Sequence, residues 1–288
     1  MDVASRIERT LNEAVAMAEV AECPPRLAAA MRYAVFPKGA RIRPRLCHSV
    51  SAACGEDHPA ATEAAGAALE LLHCASLVHD DLPCFDAADT RRGRPSVHKA
   101  FGEPLAVLAG DALIVLAFQT LARLQCAPDR LALLTLTVAR SVGVPSGIVA
   151  GQAWECEPQI DLTHYHRAKT GALFAAAAVA GAAAAGADAE PWRMLGEKLG
   201  EAYQVADDIR DAAADEDEIG KPVGKDAALG RPSAVIAYGL DGAVQHLHRL
   251  VRDAIDAMPP CINGAELKSL MLSEARRLVP AKLAQFAA

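Results

Sequence analysis

Residues 61–93 read ATEAAGAALELLHCASLVHDDLPCFDAADTRRG, a long apolar run that stops at two adjacent aspartates. Alanine and leucine dominate the run up to His79, and this composition predicts a long helix that is buried on most sides. Asp80 and Asp81 then fall at the carboxyl end of the helix, where the helix dipole disfavours negative charge. A cation would offset that repulsion, and Mg²⁺ prefers oxygen ligands and often shares them with substrate phosphates.

The residues after the paired aspartates add positive charge to the acids. Asp86 continues the acidic turn, and Arg91 and Arg92 follow shortly after it. Guanidinium groups match the oxygens of a diphosphate, so one short stretch supplies acids for a metal and arginines for an anion. A solvated acidic turn would explain the aspartates alone, but it does not explain the adjacent arginines.

A second acidic cluster lies at residues 203–211, which read YQVADDIRD. The polar residues that share one face of the predicted helix, at i, i+3, i+4 and i+7, are Gln204, Asp207, Asp208 and Asp211. Carboxylates on one stripe repel each other, and a metal would again relieve the repulsion. Lys221 and Lys225 follow in the segment GKPVGKD, where they either reach a phosphate or remain ordinary surface lysines.

Helical periodicity continues along almost the whole chain. The predicted helices cover residues 3–15, 61–79, 104–124, 131–142, 166–185, 192–211, 243–258 and 266–286, with a possible interruption at Gly110 and a kink or break at Pro280. Apolar residues make up 52% of the chain and aromatic residues only 4%, which favours packed helices over sheets. No linker or change in composition divides the chain, so we predict one all-α domain over residues 1–288.

Charge and composition exclude several other classes of protein. The net charge is −7 and no run of lysine and arginine occurs, so we expect no nucleic-acid partner. The eight cysteines form no CxxC and no zinc-ligand spacing, which suits a reduced cytoplasmic protein. The amino terminus, MDVASRIERT, does not read as a signal peptide. The longest uncharged run, 170–187, is mostly alanine and glycine, and we interpret it as a buried helix rather than a membrane span.

Together these segments resemble the trans-isoprenyl (polyprenyl) diphosphate synthase family, from about residue 30 to residue 240. HDDLPCFDAADTRRG at 79–93 is similar to the first aspartate-rich motif of the family, and QVADDIRD at 204–211 with GKPVGKD at 220–226 is similar to the second. FPKGARIRP at 36–44 resembles the early arginine segment. Gly151-Gln152 and Lys169-Thr170-Gly171 stand where the family has GQ and KTG. Within the family, the chain looks most like the bacterial geranylgeranyl diphosphate synthases of carotenoid and bacteriochlorophyll pathways.

The resemblance implies an all-α bundle around a central cavity, usually a homodimer, that condenses isopentenyl diphosphate head to tail with an allylic diphosphate. It implies Mg²⁺ as the cofactor, three ions in number, with the ligands Asp80, Asp81, Asp86 and Asp207. Asp208 and Asp211 would support the metal site through water or through hydrogen bonds to the metal ligands. The residues implied to hold the allylic diphosphate are Arg91, Lys169, Lys221 and Arg231. Those implied to hold isopentenyl diphosphate are Arg43, His73 and Arg92. Thr170 and Gln204, which we group with Lys169 as catalytic residues, would direct their dipoles at the developing allylic cation.

Two positions bear on specificity. Ala40 replaces a lysine that the family has in its early arginine segment, so Lys38 or Arg41 would have to compensate. Ala75 and Ser76 lie about one turn before Asp80, where relatives that make farnesyl diphosphate tend to have an aromatic residue. Because both side chains are small, we expect the product to grow to twenty carbons, with Leu72 one turn deeper as a possible limit.

Other functions fit the sequence less well. A farnesyl or longer-chain diphosphate synthase remains an alternative, because the product length depends mainly on Ala75 and Ser76. A terpene cyclase shares the fold type but usually has a different second metal motif. A non-catalytic synthase subunit typically lacks an aspartate motif, and both motifs are present in this chain.

Overall fold

The structure is a computed structural model that describes residues 1–36, 39–159, 162–213 and 233–278. The helices are α1 (Val3–Ala16), α2 (Pro25–Val35), α3 (Ile42–Ala53), α4 (Pro59–Asp80), α5 (Val97–Phe101), α6 (Glu103–Ala122), α7 (Pro128–Val142), α8 (Ile148–Ala153), α9 (Leu162–His166), α10 (Ala172–Ala184), α11 (Arg193–Ala213), α12 (Ala234–Asp256) and α13 (Gly264–Leu278). Single 3₁₀ turns cover Trp154–Cys156 and Glu190–Trp192, and a π-helical turn covers Arg167–Gly171. The all-α prediction is confirmed.

One small β-hairpin interrupts the helices. Strands β1 (Thr90–Arg91) and β2 (Arg94–Pro95) pair antiparallel, with Thr90 opposite Pro95 and Arg91 opposite Arg94. The connecting residues Arg92 and Gly93 both have positive φ, at 54° and 75°. The hairpin is not among the predicted elements, because two-residue strands are too short to produce an alternating pattern of apolar residues.

Proline marks the start of several helices. Pro25, Pro59, Pro104 and Pro128 lie in the first turns of α2, α4, α6 and α7. The first-turn amides have no partner within the helix, so the missing N–H of proline costs nothing there. Helices α4 and α7 begin at their prolines, two and three residues before the predicted starts at residues 61 and 131, where apolar periodicity has not yet begun. Helix α6 begins one residue before its predicted start, and α2 is not among the predicted helices.

The alanine-rich helix α10 lies in the middle of the core, as expected for residues 170–187. Every residue from Leu173 to Ala184 is buried. A β-carbon on Gly181 would lie 2.4 Å from the carbonyl oxygen of Cys47 in α3, and one on Gly196 would lie 2.5 Å from the carbonyl oxygen of Phe174. Small residues therefore let α3 and α11 approach the α10 backbone directly, and the low aromatic content follows from this close packing.

Helices α4 and α11 deliver the two acidic clusters. Helix α4 packs against α3, α6 and α10, and α11 packs against α10, α12 and the π-helical turn. The buried core extends from Ile7 in α1 to Met271 in α13, with a smaller cluster between α11 and α12. Both helices thus pack against α10, and α11 also packs against the turn that precedes it, which positions the site.

Three predicted helix boundaries are wrong. Gly110 does not interrupt α6; it makes room for His79, whose Nε2 would lie 2.1 Å from a β-carbon at that position. The predicted helix 166–185 is divided by the π-helical turn. Helix α12 begins at Ala234 rather than residue 243, and it is kinked at Gly239, whose backbone is not helical (φ 69°, ψ 169°). The predicted kink at Pro280 lies outside the described residues.

Helix α6 has an unusual surface. By length and composition alone it could cross a membrane, the single such helix among the residues that the structure describes, although core helices of soluble proteins also meet this criterion. Its exposed apolar residues are Val107, Leu108 and Val115, and Leu133 and Leu136 are exposed on the neighbouring α7. These five residues make up the apolar surface of α6 and α7.

Candidate active site

Asp80 ends α4 as a buried carboxylate with partners on two other elements. Its Oδ1 accepts a hydrogen bond of 3.0 Å from Nε2 of Gln152 in α8, and its Oδ2 lies 3.6 Å from Nζ of Lys169 in the π-helical turn. Gln152 also donates to the carbonyl oxygen of Ser76, at 3.3 Å. The end of α4 therefore contacts both the Gly151-Gln152 segment and the Lys169-Thr170-Gly171 segment.

Asp81 is paired with an arginine of the hairpin. Its Oδ1 accepts from Nη2 of Arg91 at 2.5 Å and from Nε of the same side chain at 3.0 Å. Burial raises the pKa of Asp81, and the neighbouring carboxylates Asp80 and Asp86 add to that rise, while Arg91 opposes it. The same pairing raises the pKa of Arg91 against the effect of its own burial.

The turn after α4 brings a third carboxylate to the same place. The backbone N–H of Asp86 donates to the carbonyl oxygen of Asp80 at 2.9 Å, so the chain folds back on the helix end. Asp80, Asp81 and Asp86 form an all-oxygen donor group, which suits Mg²⁺ in its chemistry. In the described part of the chain, no group of three acidic, histidine or cysteine side chains is arranged to hold a metal ion. Asp80 instead contacts Gln152 and Lys169, and Asp81 contacts Arg91. Asp80 and Asp86 nevertheless lie close enough to Asp81 to raise its pKa, and three carboxylates are a donor set whose chemistry fits such a cation.

Lys169 is held by residues that the sequence analysis missed. Its Nζ donates to Oε1 of Glu155 at 2.5 Å and lies 5.6 Å from the ring centre of Tyr165. The hydroxyl of Tyr165 donates to the same Glu155 oxygen at 2.6 Å. Asp80 and Glu155 raise the pKa of Lys169, which keeps the ammonium charged although burial opposes it. The position of Glu155, four residues after Gly151, was the available signal, but a lone glutamate carries too little information.

The second acidic cluster is connected to the first through Lys169 and Thr170, by an ion pair on the side of Asp80 and by hydrogen bonds on the side of α11. The hydroxyl of Thr170 donates to Oε1 of Gln204 at 3.0 Å, and Nε2 of Gln204 donates to Oδ1 of Asp208 at 3.1 Å. Asp208 Oδ2 accepts from the backbone N–H of Ala234 at 2.7 Å, at the start of α12. Because Thr170 follows Lys169 in the chain, these bonds join the Asp80 region to α11.

Asp207 and Asp208 therefore have different environments although they are adjacent. Asp208 is 6% exposed and its carboxylate is hydrogen bonded on both oxygens. The side chain of Asp207 is 40% exposed and pairs with Arg210 on the next turn of the same helix. Asp207 is thus the more accessible carboxylate for a metal, and Asp208 stabilises the helix junction.

The predicted isopentenyl diphosphate residues surround the middle of α4. Arg43 is 8% exposed, its guanidinium lies 5.0 Å from the ring centre of Phe174, and its Nε has no hydrogen-bond partner among the described residues. His73 has a pKa well below its ordinary value, first because it is buried and then because Arg43, Arg92, Arg91 and Arg41 lie around it. A buried guanidinium with an unpaired N–H and a neutral histidine among arginines favour an anionic ligand.

Arg41 is fully engaged elsewhere and does not replace the lysine that Ala40 removes. Its guanidinium donates to Glu70 at 2.7 Å, to Glu8 at 3.0 Å and to the carbonyl oxygen of Val35 at 2.9 Å. Lys38, the other candidate for compensation, lies outside the described residues, as do Lys221, Lys225 and Arg231. Ala75 is buried, and Ser76 is partly buried with its hydroxyl bonded to the carbonyl oxygen of His73 at 2.8 Å.

An all-helical fold that places acidic helix ends beside arginine and lysine is typical of enzymes that bind a metal and a diphosphate together. The polyprenyl synthetase family profile matches residues 24–263. The chain is 53% identical over 280 residues to a geranylgeranyl diphosphate synthase of Cereibacter sphaeroides and 51% identical to one of Rhodobacter capsulatus, in each case over 97% of both chains. The chain belongs to the polyprenyl synthetase family.

Solved structures agree with this assignment. A geranyltransferase from Legionella pneumophila superposes with a TM-score of 0.81 at 27% identity, over 96% of this chain and 94% of that one. A geranyltransferase from Helicobacter pylori in complex with magnesium and isoprenyl diphosphate superposes with a TM-score of 0.79 at 27% identity, over 96% of this chain and 97% of the other. The predicted family is confirmed.

Proposed function

We propose that this chain is a trans-prenyltransferase that condenses isopentenyl diphosphate head to tail with dimethylallyl, geranyl or farnesyl diphosphate to give geranylgeranyl diphosphate. The predicted enzyme class is confirmed by the family match and by the two relatives of about half identity. The observation that supports the chemistry most strongly is the connection between the two clusters: Asp80 forms an ion pair with Lys169, and the adjacent Thr170 is hydrogen bonded to Gln204, which is hydrogen bonded to Asp208.

The allylic diphosphate is proposed to bind between the two acidic helix ends. Asp80, Asp81, Asp86 and Asp207 would hold Mg²⁺, for which we propose three ions, and the bound metal would supply Lewis-acid neutralisation of the diphosphate leaving group. Arg91 and Lys169 are present beside Asp81 and Asp80 and would bind the same diphosphate, with Lys221 and Arg231 as further proposed contacts. Their fixed positive charges lower the cost of charge that develops on the diphosphate as the carbon–oxygen bond breaks.

Isopentenyl diphosphate is proposed to bind to Arg43, His73 and Arg92. The unpaired Nε of Arg43 and the positive charges of Arg43 and Arg92 beside His73 support an anion there. Thr170 and Gln204 would direct oxygen dipoles at the allylic cation, which the alkene of isopentenyl diphosphate attacks. The buried surroundings of α4 and α10 exclude water, which would otherwise capture the cation.

Product length is proposed to depend on Ala75 and Ser76. Both lie on α4 before Asp80, and Ala75 is buried against the core. Neither side chain is large enough to stop a growing chain, so we propose a twenty-carbon product with use in carotenoid biosynthesis. The test is product analysis with each allylic starter. Geranylgeraniol after dephosphorylation is expected from all three; a product that stops at fifteen carbons, or none at all, would contradict it.

We propose that the protein is a cytoplasmic homodimer with a single domain over residues 1–288. The apolar surface of α6 and α7 supports a dimer, because its five exposed residues lie on two helices that contact each other. Leu108→Glu should convert the dimer to the 30.2 kDa monomer in sedimentation, whereas Met194→Glu, at an equally exposed position on α11, should not. A monomeric native protein that binds lipid vesicles through α6 would contradict the dimer and favour a membrane contact.

A further inference from the structure

Arg94 makes several contacts between the hairpin and α2, and neither its position in the motif nor the proposed mechanism accounts for them. Its Nη2 donates to two backbone carbonyl oxygens, those of Tyr33 and Phe36. Its guanidinium also lies 3.5 Å from the ring centre of Tyr33. One side chain thus uses both hydrogen bonds and a π face to hold the end of α2.

The chemistry of these partners explains why an arginine occupies this position. The carbonyl of Tyr33 belongs to the last turn of α2, where helix carbonyls have no partner within the helix. Positive charge is favourable at this end of the helix dipole, and a planar guanidinium can stack on a ring while it donates to neighbouring oxygens. A lysine ammonium lacks the planar face and would make only part of this contact.

The second residue of β2, Pro95, also contacts α2. The hydroxyl of Tyr33 donates to the carbonyl oxygen of Pro95 at 2.8 Å, and Tyr33 packs edge-on against Phe101 at 5.2 Å. Because Arg91 pairs with Arg94 across the hairpin, anchoring β2 also fixes β1 and the intervening Arg92.

The anchored segment leads directly to the other half of the proposed isopentenyl diphosphate site. Phe36 ends α2, and Gly39 lies so near Arg92 that a β-carbon there would be 2.8 Å from the guanidinium carbon. The next helix along the chain, α3, contains Arg43. The hairpin therefore contacts the segment that leads into α3 at two points. Arg94 contacts Phe36, and Arg92 lies beside Gly39.

We propose that Arg94 is a positioning residue that fixes Arg92 relative to Arg43 and so shapes the isopentenyl diphosphate pocket. This inference rests on the proposed function of those two arginines. Arg91 is less dependent on the anchor, because Asp81 holds it separately through two hydrogen bonds. The effect of losing Arg94 should therefore be selective for one of the two substrates.

The variants Arg94→Ala and Arg94→Lys test the proposal. Both should raise KM for isopentenyl diphosphate about tenfold, since loss of a charge-assisted anchor is typically of that size. KM for farnesyl diphosphate and kcat at saturation should change about twofold or less. Tyr33→Phe removes only the hydrogen bond to Pro95 and should raise the KM for isopentenyl diphosphate by a smaller factor. Because this change is mild, it tests the same contact even if an Arg94 variant does not fold.

The matched control is Arg130→Ala. Arg130 donates to the carbonyl oxygen of Ala184 at the end of α10 and pairs with Asp57 before the start of α4, far along that helix from Asp80. It should lower thermal stability and leave both KM values unchanged. An unchanged KM for isopentenyl diphosphate in Arg94→Ala, full rescue by lysine, or an equal loss for both substrates would overturn the proposal.

Calorimetric binding of isopentenyl diphosphate without Mg²⁺ separates this inference from the proposed function. Wild-type protein that binds the ligand but forms no product would refute the prenyltransferase proposal, while about tenfold weaker binding by Arg94→Ala would still support the positioning role. Active wild-type protein with equal affinities in both proteins would refute the positioning role alone. Wild-type protein that does not bind isopentenyl diphosphate would refute both.

Discussion

Replacing Asp208 with alanine should destabilise the protein much more than replacing its neighbour Asp207. Asp208→Ala removes the acceptor for the backbone N–H of Ala234 at the start of α12, and a lost acceptor at a helix start costs about 1 kcal/mol. It also leaves the amide of Gln204 without its carboxylate partner in a partly buried site, for about 1–3 kcal/mol more. The expected loss in the free energy of unfolding is about 2–4 kcal/mol.

Asp207→Ala provides the matched control on the same helix. The Asp207 side chain is 40% exposed and pairs with Arg210 on the next turn, a kind of contact that contributes less than about 1 kcal/mol. Its loss should instead abolish Mg²⁺-dependent turnover. Urea denaturation followed by circular dichroism measures the stability of both variants. Equal stability losses in the two variants, or a stable Asp208→Ala protein, would refute the role of Asp208 at the α11–α12 junction.

Three further changes give distinct outcomes. Ala75→Phe should shorten the main product from twenty to fifteen carbons in chromatography of the dephosphorylated alcohols; unchanged twenty-carbon output would remove Ala75 from the product floor. Gly39→Ala should raise KM for isopentenyl diphosphate, because the added β-carbon would lie 2.8 Å from the Arg92 guanidinium carbon, and an unaltered KM would show that Arg92 moves freely. Burial lowers the pKa of His48 to about 4, below its usual 6.5, so the unfolded chain takes up a proton first as the pH falls. Relative to His48→Leu, the wild-type protein should lose about 2 kcal/mol of stability between pH 7 and pH 5 in urea titrations, and parallel pH profiles would contradict this.

The sequence predicts the site better where function depends on runs of residues than where it depends on single contacts. The end of α4 at Asp80 follows from an apolar run that meets two acids, and the structure ends the helix at that residue. The shared face of Gln204 and Asp208 follows from helical spacing, and the two side chains are hydrogen bonded. Both features are periodic or contiguous, so one sequence is enough to detect them.

Features that depend on tertiary contacts were not predictable in the same way. The hairpin at 90–95 has strands of two residues, and its stability comes from Arg94 and Tyr33 on another element. Glu155 is one glutamate among many until Lys169 and Tyr165 are brought to it. Gly110 reads as a helix break, but in the fold it provides space for His79. In each case a partner distant in sequence determines the local structure.

The most direct test of the proposed diphosphate site between α4 and α11 is calorimetric titration of inorganic diphosphate with and without Mg²⁺. The proteins compared are the wild type, Asp81→Asn, Asp207→Asn, and Asp129→Asn as a control in the exposed first turn of α7. We expect wild-type and control proteins to bind tightly with Mg²⁺ and weakly without it, and either site variant to lose most of the Mg²⁺-dependent affinity. A diphosphate affinity that is the same with and without Mg²⁺, or that falls in only one of the two site variants, would contradict a site shared between α4 and α11.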